Sequence, residues 1–344
     1  MYKMRLWAVV AFVLITAFGA TALSAPPEVQ SGVKDAVKET LDKKKEDVKA
    51  DGWYLTFIPS AGFMFNSNQN VVGVQSGYAI TLNTKIDLRM NLVKGPHEWR
   101  NGFLWMEGLS RTPSIDEFML SSDDMTINSI YLWHILDWVG LYGRVVFDTA
   151  IFDGYDYQAT PTAYSINGVV DPVLRTKYKL HNCFEPMTIK EGLGAFFRPV
   201  TSEAFNFEIL LGLSFREAPR NNFLTNKDDP ATKDMVELIS VGDFYQVGGE
   251  NIYRIWGDLW EKKINYVAGV ELMMPLYDHP DTTLSAADKL YVQMGTRWAF
   301  RIVKWLSIDY ELKVVRDKLM TADWQIQNNI MINLTYGIEK YIPG

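Results

Sequence analysis

The sequence predicts an all-β fold: a transmembrane, antiparallel, up-and-down β-barrel of about twelve strands, preceded by a short charged helical segment. Three observations carry this prediction. Between residues 72 and 92 the chain alternates with period 2, placing Val72, Val74, Tyr78, Ile80, Leu82, Ile86, Leu88, Met90 and Leu92 on one face. Gln75, Asn83, Lys85, Asp87, Arg89 and Asn91 fall on the other, as in a strand with one oily and one wet side. Strands of soluble proteins usually run about 5 or 6 residues, whereas roughly 9 to 11 tilted residues cross a bilayer. An alternation this long calls for a dry environment on one face and a strand that bends or projects beyond the lipid. The second observation is that similar segments recur along the chain, and the third is that short and long connections alternate between them.

At the N-terminus, Lys3 and Arg5 precede an apolar run over residues 6–18, followed by the small-residue site Ala20-Thr21-Ala22, with Ser24 as a second choice. This pattern reads as a secretory signal peptide over residues 1–24, its apolar core too short for a transmembrane helix. No Cys stands at the cut, so a lipid anchor is not expected. Cys183 is the single cysteine and excludes an intramolecular disulfide. Residues 25–52 form the charged helical segment or linker; Val29, Val33, Val37 and Leu41 recur every fourth position among Lys, Asp and Glu. A solvated tether and an arm that docks on the envelope both fit this segment. The barrel domain is assigned to residues 53–344.

The oily faces then come in order. Residues 53–65 carry Trp53, Leu55, Phe57, Phe63 and Phe65; residues 72–92 follow; residues 99–109 carry Trp99, Phe103 and Trp105. Further strands are read at residues 125–135, 141–151, 187–197 and 205–215, and a weaker one at 236–247. Residues 264–276, 290–302, 306–314 and 326–338 complete the twelve, with their oily faces on even positions. Four connections are tight, and three of them lead into a tryptophan: Trp99, Trp138 and Trp305. The fourth leads into Phe205. These four rings are the expected membrane-interface aromatics, since amphipathic rings gather at headgroup level. The connections at residues 110–124, 153–186, 217–235 and 278–288 are long and polar, so short turns sit on one side and long loops on the other. Residues 248–263 break this pattern, being long where a short turn is due. A missed hairpin there, or at residues 173–180, would raise the count to fourteen.

A soluble lipocalin-like barrel would turn the same oily faces inward, and periodicity alone does not say which face points where. Area favours the membrane barrel, because twelve apolar faces would need a very large dry interior. The wet faces, rich in Gly, Asn, Gln and paired charges, suit a confined lumen. Aligning the oily faces of residues 290–302 and 306–314 sets Arg297 opposite Glu311, with Asp309 between Arg297 and Arg301 and Lys313 farther along the same face. With Lys85, Asp87 and Arg89, these form the candidate lumen lining: either ion pairs that fill the barrel or charges that bias what passes.

Composition narrows the function. Lys and Arg number 34 against 41 Asp and Glu, which disfavours nucleic acid as a partner. No nucleophile, base and orienting acid share a recognisable spacing around His97, His134, His181 or His279. The Asp278-His279-Asp281 loop comes nearest to a metal set, but a solvated loop tip accounts for it. The pairs Asp116-Glu117, Asp123-Asp124 and Asp228-Asp229 lack the spacing of a calcium loop. The expectation is a non-enzymatic barrel without cofactor or metal, acting as a passive or weakly selective channel for small polar solutes. A closed structural or binding barrel of the cell envelope, using its loops or N-terminal arm, is the alternative. The expected partners are outer-membrane lipid and the barrel assembly machinery.

Several short motifs point the same way. They are residues 77–92 followed by Trp99-Arg100-Asn101, the Asp123-Asp124 pair leading into a strand, and Glu185-Pro186 with Gly192-Leu193-Gly194 and Phe197-Arg198-Pro199. The last runs from Trp324 to Asn329. Together they resemble an uncharacterised family of Gram-negative outer-membrane β-barrels known mainly as a domain of unknown function. The resemblance implies the fold and an outer-membrane location, and no activity or catalytic residue. One departure is the ending Tyr341-Ile342-Pro343-Gly344, since such barrels usually finish on an aromatic that the assembly machinery reads. Tyr341 or an internal signal is expected to serve instead.

Overall fold

The computed structural model describes residues 50–68, 77–220, 223–226, 232, 235–279, 284–319 and 324–344. The leader, nearly all of the charged segment, and Asp228, Asp229 and Asp281 lie outside the described residues. The chain forms β1 (Gly52–Asn68), β2 (Gly77–Lys94), β3 (His97–Thr112), β4 (Ile115–Leu136), β5 (Val139–Thr149), β6 (Gly154–Ile166), β7 (Val169–His181), β8 (Thr188–Thr201) and β9 (Asn206–Ala218). After these come β10 (Leu224–Asn226), β11 (Met235–Ser240), β12 (Phe244–Leu259), β13 (Ile264–His279), the one-turn helix α1 (Ala286–Lys289), β14 (Tyr291–Val303), β15 (Leu306–Arg316), β16 (Gln325–Thr335) and β17 (Ile338–Pro343).

Twelve antiparallel strands close into a barrel in the order β1-β2-β3-β4-β5-β8-β9-β12-β13-β14-β15-β16. The seam is made twice: β16 pairs with the middle of β1, as in Gly62 with Asn333, and β17 continues past Tyr336-Gly337 to pair Trp53 with Ile342. Gly52 is required here. Its φ is +151°, and a Cβ would fall 2.5 Å from the Ile342 carbonyl oxygen. The phenol of Tyr341 donates to the Asp51 carbonyl oxygen at 2.8 Å, fastening both ends of the barrel chain at the short-turn end.

Polarity is inside out. Leu193, Leu276 and Ile330 on the outer face are 65%, 76% and 72% exposed, whereas Glu208 and Glu311 in the interior are 0% exposed. A lipocalin-like interior is thereby ruled out, and the oily parity of every correctly placed strand points outward. Period 2 makes this unambiguous, because a slip of one residue would bury the whole oily set and expose the charges.

The eighth barrel strand departs from the sequence reading. It is β12 (Phe244–Leu259), not residues 236–247, so the long stretch 248–263 is mostly strand. A tight turn at Trp260, Glu261 and Lys262 follows, all three at positive φ. The earlier half of the expected strand, β11, belongs to a second sheet above the barrel mouth, in the order β10-β11-β6-β7. There Tyr164, Val236 and Leu238 form a small core, and β11 runs parallel to β6. The hairpin foreseen near residues 173–180 therefore exists as β6-β7, outside the barrel, and the barrel count stays at twelve. Residues 110–124 are not a loop either: β3 and β4 run on to a turn at Pro113-Ser114 as a projecting hairpin, with bulges where the register shifts.

Candidate functional site in the barrel lumen

Eight interior residues were expected. Seven face inward as half-buried or buried side chains, while Arg301 is exposed at the short-turn rim, where its N–H donates to the Lys263 carbonyl oxygen at 2.8 Å. Arg297 does pair in register with Glu311, and Ala299 with Asp309. The closest contact of Arg297 is nevertheless diagonal, Nη2 to Asp309 at 2.7 Å. Its Nε lies 3.2 Å from Glu311 but off hydrogen-bond alignment, so that contact is Coulombic. Lys85 reaches Glu311 at 3.0 Å, and Arg89 holds Asp87 at 2.6 Å. Lys85 stands on β2 and Glu311 on β15, three strands apart around the wall. This pair is a chord through the lumen and not a lateral contact between neighbours.

Most chords involve residues that register arithmetic does not pair. Toward the short turns, Glu208 on β9 receives Arg198 at 2.6 Å, Arg100 from β3 at 3.3 Å and Arg254 at 3.8 Å. Glu98 completes this cluster with Arg100 at 3.0 Å, Arg198 at 3.5 Å and His134 at 3.3 Å. Beside it an apolar patch of Ile130, Leu132, Tyr142, Phe196, Leu210 and Ile252 fills one side of the interior. Farther out, Arg144 on β5 joins Glu250 on β12 at 2.7 Å and Glu271 on β13 at 2.9 Å. Tyr142 donates to Glu250 at 2.5 Å. Space for this knot comes from glycine: a Cβ at Gly192 would strike the Glu250 carboxylate.

The sequence carried a signal for most of the missed charges, since Glu98, Arg100, Arg144, Glu208 and Glu271 sit at the wet parity of their strands, whereas Glu250 and Arg254 fall in residues 248–263, which the sequence reads as a connection. Burial of ions is costly unless they are paired, and removal of one partner of such a pair typically costs about 3–5 kcal/mol. A barrel of eight strands is filled by ordinary side chains; twelve strands leave a wider interior, which these long side chains bridge.

Above the chords, the mouth opens into a vestibule of about 400 Å³. Lys190, Arg216, Tyr291, Gln293 and Lys313 line it, as do Thr126, Asp124 and Asp148. Its rim includes Tyr155 and His181 of the loop sheet and Arg220 of the connection after β9. Burial and the neighbouring Arg216 guanidinium push Arg220 down to about 10. Outside the mouth, the hydrogen bond from Lys179 holds the Asp153 carboxyl below the usual range, and Asp153 in turn accepts the Cys183 N–H at 2.8 Å.

The expected interface aromatics Trp99, Trp138, Phe205 and Trp305 are 41%, 51%, 40% and 59% exposed, all at the short-turn end. Among the candidates set aside earlier, Asp278 is tied to Lys289 at 2.9 Å and Asp123 accepts the N–H groups of Ile151 and Phe152. Among the described residues, no group of three or more His, Cys, Asp or Glu side chains is placed to hold a metal ion.

No protein-family model matches the chain, and no curated protein does. Among solved structures it is similar to an outer membrane channel from Pseudomonas putida F1, with 12% identity, 86% of this chain and 97% of that one covered, and a TM-score of 0.35. The translocator domain of the autotransporter NalP from Neisseria meningitidis gives 11%, 90%, 94% and 0.37. The P. putida toluene transporter TodX gives 7%, 87%, 91% and 0.34. Overlaps this loose add nothing to the strand pairings above, which by themselves define the class: a closed twelve-strand antiparallel barrel, apolar outside and charged within.

Proposed function

We propose that this chain is a non-enzymatic outer-membrane barrel of a Gram-negative envelope, a weakly selective channel for small polar solutes that rests in a closed state. An apolar exterior and a ring of aromatics at one end support the membrane location. The observation that carries the closed state is the set of chords: Arg100 to Glu208, Arg144 to Glu250 and Glu271, and Lys85 to Glu311 tie strands three and four apart. Solute enters the vestibule, and passage requires those pairs to part. Outer-membrane lipid covers the outer face, and the barrel assembly machinery inserts the chain.

Planar-bilayer recording tests the proposal. Wild-type protein should show small, infrequent currents, and Arg144→Ala, which removes a cation shared by two carboxylates, should raise open time and conductance. Absence of current from both proteins would overturn the channel. The complete burial of Glu208 favours a second reading, a closed barrel that holds a solute in its vestibule and passes none.

A further inference from the structure

Charge in the vestibule is sorted by side. Asp124 stands on β4 and Asp148 on β5, with Thr126 between them donating its hydroxyl to Asp148. In the barrel order, β14 lies opposite β4 and β15 opposite β5. That opposite side is basic. Lys313 projects from β15, and among the described residues it has no ion pair or hydrogen bond. Arg216 is rooted on β9 but reaches over, its guanidinium 4.4 Å from the ring of Tyr291 on β14 and paired with Asp317 just past β15. Lys190, rooted on β8, likewise extends to the Tyr291 hydroxyl at 3.1 Å.

Arg216 is buried, sandwiched between Tyr291 and Phe244, and its orientation is fixed. Nη2 serves Asp317 and Nη1 donates to Gln246 at 3.3 Å. Nε is buried with no hydrogen-bond partner. Leaving a buried donor unmade is costly, so a ligand acceptor delivered to this place gains more than one delivered to water. Asp317 and Glu271 already answer Arg216 and Lys190 on this side, which leaves Lys313 as the cation without a carboxylate. A volume of about 400 Å³ lies within the range of small-molecule sites.

From this separation we infer that the vestibule is a binding site for small zwitterions with a primary ammonium at one end and a carboxylate at the other. The ammonium lies against Asp124 and Asp148, and the carboxylate takes Lys313 and the Nε edge of Arg216. An ion of one sign is drawn to one wall and repelled by the other, whereas a zwitterion is drawn to both. This inference deepens the proposed function by naming the solute class. It rests on that reading for its biological role, but not for its test.

The test uses the full chain in detergent micelles and calorimetric titration with 5-aminopentanoate, pentanoate and pentylamine, which differ only in the end groups. The zwitterion should bind at least about tenfold more tightly than either singly charged probe. Lys313→Gln should bring it down to the level of pentylamine, and Asp148→Asn to that of pentanoate. Each variant is first checked for the migration shift on boiling that a folded barrel shows, and Asp124→Asn replaces Asp148→Asn if the latter fails. Equal affinity for all three probes, pentanoate binding as tightly as the zwitterion, or no binding would overturn the inference. A chain that conducts without preferring the zwitterion loses this inference alone; one that prefers it without conducting loses only the channel.

Discussion

Arg144 and Glu250 meet at 2.7 Å inside the barrel although they stand 106 residues apart in sequence, with two strands, β8 and β9, between theirs. Their contact depends on Gly192, between them on the wall, having no side chain. Gly192→Ala should displace the Glu250 carboxylate and strain the knot, lowering stability by about 1–3 kcal/mol. The midpoint temperature of the heat-induced migration shift measures this. An unchanged midpoint would mean that the interior is looser than the chords indicate.

Glu208 answers Arg100, Arg198 and Arg254 at once. Glu208→Gln keeps the shape and removes the charge, leaving these guanidinium groups with too little negative charge around them. A loss of about 3–5 kcal/mol is expected in urea unfolding of the refolded barrel. Conversion of the whole cluster to apolar residues of similar volume should cost far less, because the penalty comes from the stranded cations.

The turn from β12 to β13 holds Trp260, Glu261 and Lys262 at φ of 51°, 54° and 66°. A left-handed conformation costs an L-residue roughly 1–2 kcal/mol, and glycine escapes most of that cost. Glu261→Gly should therefore stabilise the barrel slightly, by about 1 kcal/mol or less, since glycine also loses more freedom on folding. Destabilisation instead would show that the Glu261 side chain holds the turn.

At the mouth, hydrogen bonds from Lys318 and Ser285 hold the Asp288 carboxyl below its ordinary 3.8, and Arg316 adds to the effect. A depressed pKa means that the latch between α1 and the end of β15 contributes fully above the ordinary aspartate value and is lost as pH falls through the lowered one. Amide exchange over residues 284–290 should stay slow from neutral pH to mildly acidic conditions and quicken below about pH 4. Asp288→Asn should exchange quickly throughout and show no such step.

How far the sequence discloses the structure depends on where each residue points. Strands such as β9, with Phe207, Ile209, Leu211, Leu213 and Phe215 outside and Glu208 inside, announce themselves because lipid and lumen impose opposite demands on alternate residues. In β12 this contrast fails. Ile252 and Trp256 face inward and Asn251 faces outward, so polarity does not mark which face meets lipid. Val236 and Leu238 do alternate, but they line the core of the loop sheet. The turn after Leu259 lacks Gly, Pro and Asn, so nothing marks it. The β6-β7 hairpin, by contrast, carried a readable sign in Asn167-Gly168, both at positive φ. Neighbouring pairs such as Arg297 and Glu311 follow from register. Chords such as Arg100 to Glu208 do not, because they depend on the barrel's closure and on side chains long enough to cross it.

Thiol labelling in intact outer membranes tests the closed lumen most directly. In a Cys183→Ser background, a cysteine is placed in the vestibule by Lys313→Cys or beneath it by Leu210→Cys, and a charged water-soluble thiol reagent is added from outside. Rapid labelling at position 313 and none at position 210 is the predicted result. Similar rates at both positions would contradict it, showing that water runs past the chords and that the barrel rests open.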